Sequence, residues 1–307
     1  MKLLKTAILF AGQGAQYPGM GKSLYAASPA AKAVFDLADA LRPGTSAQIF
    51  TGGADTLAQT ENTQPCLFAA DLAAAEALRA RGAVFDAAAG FSLGELPALA
   101  FSGVLEAKDA FALTVRRGRL MAEAARENPG GMAALLKISA ADAEKICESL
   151  GGVWPVNYNS PAQTVVAGRD DRVAAACEAA KTLGGRAVKL SVSGAFHCPF
   201  MERAAEKLGE ALAGLRFFDP GIPLYSNVTA GLYTKDAAPG LLSRQVCSPV
   251  RFQQTVENML AAGIDAFVEV GPGRTLAGLV KKTAPDARVW SVCEYGDLLK
   301  TADELIP

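Results

Sequence analysis

The stretch Ala87-Ala88-Ala89-Gly90-Phe91-Ser92-Leu93-Gly94 joins a short run of small apolar residues to a serine flanked by glycines. The apolar run predicts a buried strand, and Gly-x-Ser-x-Gly is typical of a sharp turn between a strand and a helix. Such a turn lifts the serine hydroxyl above the sheet edge, and its glycines make room for the backbone. A glycine-rich turn with an exposed serine is the alternative interpretation, because the bare pattern also occurs by chance.

Strands and helices alternate on both sides of this stretch. Thr6 to Ala11 predicts a buried strand that ends in the tight loop Gly12-Gln13-Gly14. A helical stripe follows, with Pro65 near its start and Gly82 as its stop. This alternation predicts an α/β fold, with a mainly parallel sheet covered by helices on both faces.

The pattern changes between about Gly131 and Val192, where the predicted order is βαββαβ. The predicted elements are a strand Met132–Ile138, a helix capped by Ser139, strands Val153–Asn157 and Gln163–Ala167, a helix Asp171–Leu183 and a strand Arg186–Ser191. That order is typical of a ferredoxin-like unit. We therefore expect a small inserted subdomain over 129–192 and a large domain over 1–128 and 193–307.

Composition excludes several classes of protein. The 307 residues are 50% hydrophobic and 20% charged, as in an ordinary globular chain. The 30 Lys+Arg and 31 Asp+Glu nearly cancel, so no overall field favours nucleic acid or an anionic membrane. No apolar run reaches the roughly 20 residues of a membrane span. Six dispersed cysteines without a C-x-x-C pair indicate reduced thiols in the cytoplasm, with neither a disulfide framework nor a metal site.

His197 is the single histidine of the chain, so chemistry that needs an imidazole has one candidate. A serine hydroxyl is a poor nucleophile until a base, usually histidine, takes its proton. Pro199 is expected in the first turn of a helix that follows His197. A hydrogen-bonded structural histidine is the alternative, but the serine turn favours the base.

An acyl-transfer oxyanion would need two N–H donors, commonly the one after the nucleophile and one from a loop that follows an early strand. Leu93 offers the first donor, and Gln13 in the loop Gly12-Gln13-Gly14 offers the second. A dinucleotide-binding fingerprint in this loop is rejected, because G-x-G-x-x-G would need glycine where the chain has Tyr17.

Glu106 to Asn128 predicts a long helix on which Arg117 shares the apolar face with Leu113 and Met121. A guanidinium directed into the interior needs an anion. The sequence leaves two anions open, a carboxylate of the protein and the carboxylate of a substrate.

Six motifs occur in a fixed order along the whole chain. They are G-Q-G-A-Q at Gly12–Gln16, G-F-S-L-G-E at Gly90–Glu95, R-R-G-R-L-M at Arg116–Met121, N-S-P-A-Q at Asn159–Gln163, G-A-F-H at Gly194–His197 and E-V-G-P-G at Glu269–Gly273. With them the chain resembles the malonyl-CoA:acyl-carrier-protein transacylases of fatty-acid synthesis. The resemblance implies an α/β-hydrolase-like catalytic core, formed by the large domain, with a ferredoxin-like insertion.

The resemblance also implies roles for individual residues. It makes Ser92 the nucleophile, His197 the general base, Gln13 and Leu93 the oxyanion donors, Arg117 the ligand of the substrate carboxylate, Gln245 the residue whose main-chain carbonyl orients the histidine, and Phe196 a wall of the acyl pocket. Two positions depart from the family pattern. Phe91 stands where many relatives have histidine, and Pro97 falls early in the helix after the turn, where it removes a backbone donor.

The implied activity moves malonyl from malonyl-CoA to the phosphopantetheine thiol of an acyl carrier protein through a malonyl-serine intermediate. The resemblance implies a cytoplasmic monomer without a resident cofactor or metal, and fatty-acid and polyketide carriers both stay open. A thioesterase and a catalytically silent docking module are the rival interpretations. Two basic groups could receive an acidic carrier: Arg274, Lys281 and Lys282, or Lys181, Arg186 and Lys189.

Overall fold

The computed structural model describes residues 4–306, so residues 1–3 and 307 of the expected large domain lie outside the described residues. The strands are β1 Thr6–Phe10, β2 Ala87–Gly90, β3 Gly131–Leu136, β4 Val153–Ser160, β5 Gln163–Gly168, β6 Arg186–Lys189, β7 Leu224–Tyr225, β8 Ala266–Val270 and β9 Arg288–Val292. The first helices are α1 Lys22–Ala27, α2 Pro29–Leu41, α3 Thr45–Thr51, α4 Ala54–Ala58, α5 Thr60–Ala80, α6 Glu95–Phe101 and α7 Ala107–Glu127. The later helices are α8 Ala140–Leu150, α9 Asp170–Thr182, α10 Glu202–Leu212, α11 Ala238–Gln245, α12 Phe252–Ala261, α13 Thr275–Thr283 and α14 Tyr295–Leu305.

The larger sheet, called the parallel sheet below, has the strand order β7-β2-β1-β8-β9 with every neighbouring pair parallel. Phe10 of β1 lies opposite Gly90 of β2 and Val270 of β8, so these strands end together. The loops after them therefore meet at one edge of the sheet, where α/β proteins place their ligands.

Side chains on the parallel sheet alternate between two buried clusters. Ile8 and Phe10 belong to the cluster on one face, whereas Ala7 and Leu9 belong to the cluster on the other. A strand buried on both faces needs a continuous apolar sequence, which explains the unbroken run of β1. Helices cover both faces, as the alternation of elements predicts.

The smaller sheet, called the antiparallel sheet below, has the strand order β4-β5-β3-β6 with antiparallel pairing throughout. Val166 of β5 packs against α8 and α9 on one face, whereas its neighbour Val165 joins the main core on the other. The βαββαβ order and the mixed α/β class predicted from the sequence are confirmed. The domain boundaries at residues 129 and 192 stay predictions.

Backbone hydrogen bonds fasten the antiparallel sheet to the rest of the molecule. The Val250 N–H donates to the Val156 carbonyl at 2.8 Å, and the Tyr158 N–H donates to the Val250 carbonyl at 2.9 Å. The outer edge of β4 is thus bonded to Val250, which ties the sheet that provides the cavity wall to the large domain.

Two helices begin differently from the prediction. Helix α5 begins at Thr60, so Pro65 lies inside it, and burial of nearly the whole helix outweighs the lost backbone donor. Pro199 opens a short 3₁₀ turn, Pro199–Met201, and α10 begins only at Glu202. Within residues 4–306, no helix is both long and apolar enough to cross a membrane.

Candidate active site

The serine flanked by glycines lies where β2 ends and α6 is about to begin. Ser92 has a φ of +53°, in the left-handed region that residues other than glycine rarely occupy. A Cβ on Gly90 would lie 2.0 Å from the carbonyl of Gly94, and a Cβ on Gly94 would lie 2.2 Å from the carbonyl oxygen of Phe10. Only glycine fits at either flank, so the sequence pattern has a steric cause.

The structure brings Ser92 and His197 together across 105 residues of sequence. His197 Nε2 lies 2.7 Å from Ser92 Oγ, and His197 Nδ1 lies 2.9 Å from the main-chain carbonyl oxygen of Gln245. Because a carbonyl can only accept, Nδ1 carries the proton and Nε2 presents its lone pair to the hydroxyl. This geometry allows His197 to take the Ser92 proton.

The environment of His197 keeps its imidazole neutral. Burial, followed by the positive charge of Arg117, lowers the pKa of His197 to about 4, and its hydrogen bond to the Gln245 carbonyl opposes that shift. A general base must be unprotonated to act, and His197 meets that condition at neutral pH.

Arg117 projects from α7 into the interior and is 1% exposed. Its Nη1 donates to Gln64 Oε1 at 2.8 Å, and its Nη2 donates to Gln245 Oε1 at 2.8 Å and to Ser92 Oγ at 3.3 Å. Burial lowers the pKa of Arg117 to about 10, and the charge of Glu95 opposes the shift, so the guanidinium stays charged at neutral pH.

Neutral amide and hydroxyl oxygens thus surround this cation. Among residues 4–306, no carboxylate forms an ion pair with Arg117, and its Nε has no acceptor. The sequence leaves two anions open as partners of Arg117. A carboxylate of the protein is not in direct contact with it among the described residues, which leaves the carboxylate of a substrate. A desolvated guanidinium beside the reactive hydroxyl is ready to receive an external anion.

Gln245 links the three residues just described. Its carbonyl accepts from His197, its Oε1 accepts from Arg117, and its Nε2 donates to the Ser92 carbonyl at 2.6 Å. The resemblance implies only the first of these contacts. The side-chain amide adds a second function, because one residue sets the relative positions of nucleophile, base and guanidinium.

The two expected oxyanion donors lie beside Ser92. Gln13 lines the cavity in front of the serine, and its side chain is held by a 3.2 Å hydrogen bond to Thr60 Oγ1. Leu93 follows Ser92 in a 3₁₀ turn, Ser92–Gly94, that precedes α6. In the described part of the chain, neither the Gln13 N–H nor the Leu93 N–H donates to a protein acceptor. Both donors are therefore free for a substrate oxygen.

A cavity of about 240 Å³ extends from Ser92 between the two sheets. Phe196 and Met121 line it beside the reactive pair, and Met132 and Val165 of the antiparallel sheet form the opposite wall. Phe196 therefore lies where a wall of the acyl pocket is expected.

Neither departure from the family pattern disturbs this arrangement. Phe91 lines the cavity and packs edge-on against Phe252, with ring centroids 5.5 Å apart. Pro97 is the third residue of α6, where backbone N–H groups have little or no intrahelical partner to lose.

Three buried polar residues near Ser92 received no role from the sequence, namely Gln64, Glu95 and Asn227. Glu95 Oε1 accepts from the Asn227 N–H at 2.8 Å and from the Tyr233 hydroxyl at 2.9 Å, and burial raises the pKa of Glu95 to about 7. A polar residue directly after the glycine turn was a usable signal for Glu95. Asn227 follows a strand of only two residues, which leaves no periodic pattern to notice.

Comparison with known proteins gives consistent matches along nearly the whole chain. Residues 8–301 match the family described as the acyl transferase domain. The chain is 42% identical over 285 residues to the malonyl CoA-acyl carrier protein transacylase of Bacillus subtilis, covering 91% of this chain and 90% of the relative. It is 39% identical over 283 residues to the enzyme of that name from Escherichia coli, covering 90% and 92%.

Solved structures that are similar to this chain are transacylases as well. The crystal structure of MCAT from Streptococcus pneumoniae matches with a TM-score of 0.94 at 41% identity, covering 98% of this chain and 100% of that one. A malonyl-transacylase solved in complex with a type II PKS acyl-carrier protein matches with a TM-score of 0.94 at 34% identity, covering 98% and 99%. From fold, site and sequence together, the chain belongs to the malonyl CoA-acyl carrier protein transacylases of the acyl transferase family.

Proposed function

We propose that the protein transfers a malonyl group from malonyl-CoA to the phosphopantetheine thiol of an acyl carrier protein through an ester on Ser92. The observation that carries the proposal is the 2.7 Å contact of Ser92 Oγ with His197 Nε2, beside a buried arginine that has no carboxylate partner among residues 4–306. The names of the relatives supply the acyl group and the acceptor.

In the first half-reaction, His197 Nε2 takes the Ser92 proton while Oγ attacks the thioester carbonyl carbon. The negative charge that develops on the carbonyl oxygen is stabilised by the N–H groups of Gln13 and Leu93. The C–S bond then breaks, His197 returns its proton to the leaving sulfur, and free CoA thiol departs from the malonyl-serine ester.

In the second half-reaction the carrier thiol approaches the same carbonyl carbon. His197 takes the thiol proton, sulfur attacks the ester, and the C–Oγ bond breaks as the proton passes to Ser92. Ser92 and His197 account for every proton and bond in both steps, so the proposed chemistry requires no resident cofactor or metal.

Arg117 accounts for a preference of this site for a malonyl group, whose carboxylate it can bind. In a malonyl ester on Ser92 the carboxylate carbon is the third carbon from Oγ, and Arg117 Nη2 lies 3.3 Å from Oγ. The guanidinium can therefore exchange contacts with neutral amide oxygens for a charge-assisted pair with the substrate.

Residues on two sides of the cavity adjoin the two basic groups expected to receive the carrier. Thr275 and Leu276 line it next to Arg274, and Leu190 lines it next to Lys189. Lys282 also donates to Gln163 Oε1, a cavity residue, at 2.9 Å. We propose that both groups flank the approach of an acidic carrier, so that charge reversal on either side should raise the KM for the carrier.

The expected monomer stays a prediction, which light scattering of the purified protein tests. All six cysteines are free thiols, which supports the expected cytoplasmic location. Localisation of a tagged protein tests that expectation.

Replacement of Ser92 by alanine tests the proposed function. The variant should keep the fold, lose the malonyl adduct seen by intact mass spectrometry after mixing with malonyl-CoA, and lose transfer to a carrier. Covalent malonylation of Ser92→Ala at the wild-type level would refute the nucleophile assignment. In the wild type, release of free malonate that outpaces transfer to a carrier would instead favour the thioesterase interpretation, and absence of an adduct would favour a silent docking module.

A further inference from the structure

The turn that presents Ser92 is held by the side chain of Asn227. Asn227 Oδ1 accepts from the Ser92 N–H at 2.7 Å, and Asn227 Nδ2 donates to the Gly90 carbonyl at 2.6 Å. One planar amide thus spans the two ends of a three-residue turn. Asn227 is 3% exposed, so water does not compete effectively for these contacts.

The position of Asn227 follows from the parallel sheet. Strands β2 and β7 pair at Ala88 with Leu224 and at Ala89 with Tyr225, and the backbone pairing stops there. Asn227 lies two residues beyond β7, and its amide makes the next contacts to β2 in place of a backbone neighbour. The side chain thereby extends the sheet across the point where β2 turns away.

A second contact fixes the backbone of Asn227. Its N–H donates to Glu95 Oε1, and the Tyr233 hydroxyl donates to the same oxygen. Glu95 is the first residue of α6, directly after the turn. The loop that carries Asn227 and the helix that leaves the turn are therefore locked to each other, with Ser92 between them.

These contacts bear on the chemistry in two ways. Ser92 has a φ of +53°, which is costly for a residue with a side chain and persists only where neighbours impose it. In addition, the Ser92 N–H is already used by Asn227, so it cannot serve as an oxyanion donor. That leaves the free N–H of Leu93 as the donor of the turn.

We propose that Asn227 is a positioning residue for the nucleophile, whose amide holds the backbone of Ser92 so that Oγ stays within hydrogen-bond reach of His197. This inference rests on the proposed function, in which Ser92 is the attacking group. Asn227 touches only the backbone of the turn in these contacts, so it should influence acylation without contributing to malonyl-CoA binding.

Asn227→Ala tests the proposal against a matched control, Asn258→Ala. Asn258 Nδ2 donates to the Ala230 carbonyl at 2.9 Å and so anchors the same loop, without contacting the turn. Asn227→Ala should lower kcat, and the rate at which a fluorophosphonate labels Ser92, by at least about tenfold at nearly constant KM, since small displacements of reacting groups cost this much or more. Asn258→Ala should lower Tm with kcat within about twofold of wild type.

The proposal is overturned if Asn227→Ala keeps both rates near wild type, or if the two variants lose kcat in proportion to their loss of Tm. Failure of the proposed function looks different, because wild-type protein would then transfer no malonyl at all.

Asn227→Asp supplies a variant of nearly the same shape should the alanine variant fold poorly. Its carboxyl can still accept from Ser92, but it can donate to the Gly90 carbonyl only when protonated. The titratable and charged groups around this position are Glu95 and Tyr233, Arg251, whose backbone N–H donates to the Asn227 carbonyl, and His197 and Arg117 on the other side of Ser92. All are shared with the wild type, so the activity ratio of variant to wild type isolates the new carboxyl. That ratio should rise as pH falls from about 8 to about 6, because more of the carboxyl is then protonated and able to donate. A ratio that is high and does not change with pH would overturn the proposal.

Discussion

The two sheets contribute to one cavity in different ways. Ser92 and Asn227 follow strands β2 and β7 of the parallel sheet. Arg117 and Gln245 lie on α7 and α11, and His197 lies in the segment between β6 and α10; hydrogen bonds join each of these residues to Ser92.

The antiparallel sheet contributes a wall in which apolar side chains such as Met132 and Val165 lie beside polar ones such as Gln163. Among the described residues, none of these side chains makes a hydrogen bond to Ser92 or His197. The residues bonded to Ser92 are therefore called below the region that supplies chemistry, and the cavity wall of the antiparallel sheet is called the region that supplies shape.

This division indicates how the molecule should respond to change. Hydrogen bonds to Ser92 act at fixed distances, so their loss should alter the rate of the chemical step. Apolar contacts act through area removed from water, so their loss should alter substrate binding in small increments. Variants in the two regions should therefore separate into effects on kcat and effects on KM.

The largest effect is expected for His197→Ala in the region that supplies chemistry. Since His197 is the sole imidazole, no other histidine can take the Ser92 proton, and acylation should slow by about a hundredfold to ten-thousandfold. Single-turnover formation of the malonyl-enzyme, followed by rapid quench and mass spectrometry, measures this step. A variant that keeps most of the wild-type rate would remove His197 from the mechanism and break the distinction between the two sheets.

Arg117→Ala should produce the next largest effect, and a selective one. A desolvated charge-assisted pair contributes about 1.5–3 kcal/mol, so kcat/KM for malonyl-CoA should fall by about tenfold to a hundredfold. Acetyl-CoA has no carboxylate to lose, and its transfer should hold steady or rise. Arg116→Ala, an exposed neighbour on the same helix, is the control and should leave both substrates unchanged. Equal losses for both thioesters with a lowered Tm would assign Arg117 a structural role instead.

Local pattern sufficed to predict much of the fold. The βαββαβ order between Gly131 and Lys189 was predictable because each element has its own periodicity and caps, such as Ser139 accepting from the Asp142 N–H. The strand order β7-β2-β1-β8-β9 was not, because it depends on pairings between segments far apart in the chain. Pro65 was expected near the start of its helix, and α5 begins five residues earlier at Thr60, because burial of the helix outweighs the lost backbone donor.

In the site, too, contacts between residues far apart in the chain could not be predicted from the sequence. Ser92 and His197 could be identified from the sequence, because Ser92 lies in the Gly-x-Ser-x-Gly turn and His197 is the only histidine of the chain. Asn227 contacts Ser92 across 135 residues through a side-chain amide, and Gln64 reaches Arg117 across 53. Neutral amides have no pattern that marks them as functional, so only the folded geometry reveals them.

The fall of kcat/KM at acid pH is expected to be an effect of intermediate size. With the pKa of His197 lowered to about 4, kcat/KM for malonyl-CoA should stay nearly level down to pH 5.5, whereas an imidazole of ordinary pKa would be about nine-tenths protonated there. The unfolded chain binds a proton to this imidazole near pH 6.5 and the folded one only near 4, so its contribution to stability is lost as pH falls through that window. Arg117→Gln removes the second cause of the shift and should move the limb to higher pH. A wild-type limb near 6.5 would contradict the buried setting of the base.

The smallest effect belongs to the region that supplies shape, where β5 offers a matched pair of neighbours. Val165 faces the cavity and Val166 faces α8 and α9, and both are buried. Val165→Thr exchanges one methyl group of the wall for a hydroxyl, which should cost about 0.8 kcal/mol of apolar contact and raise the KM for malonyl-CoA about fourfold at constant kcat.

Val166→Thr makes the same exchange on the opposite face of the strand. It buries a hydroxyl against α8 and α9, away from the substrate, so it should lower the free energy of unfolding by about 1–3 kcal/mol and leave KM and kcat unchanged. Steady-state kinetics and urea unfolding of both variants decide the matter. If Val165→Thr changed kcat instead of KM, the antiparallel sheet would be positioning reacting groups after all, because loss of contact area alone weakens binding without slowing the bound substrate's reaction.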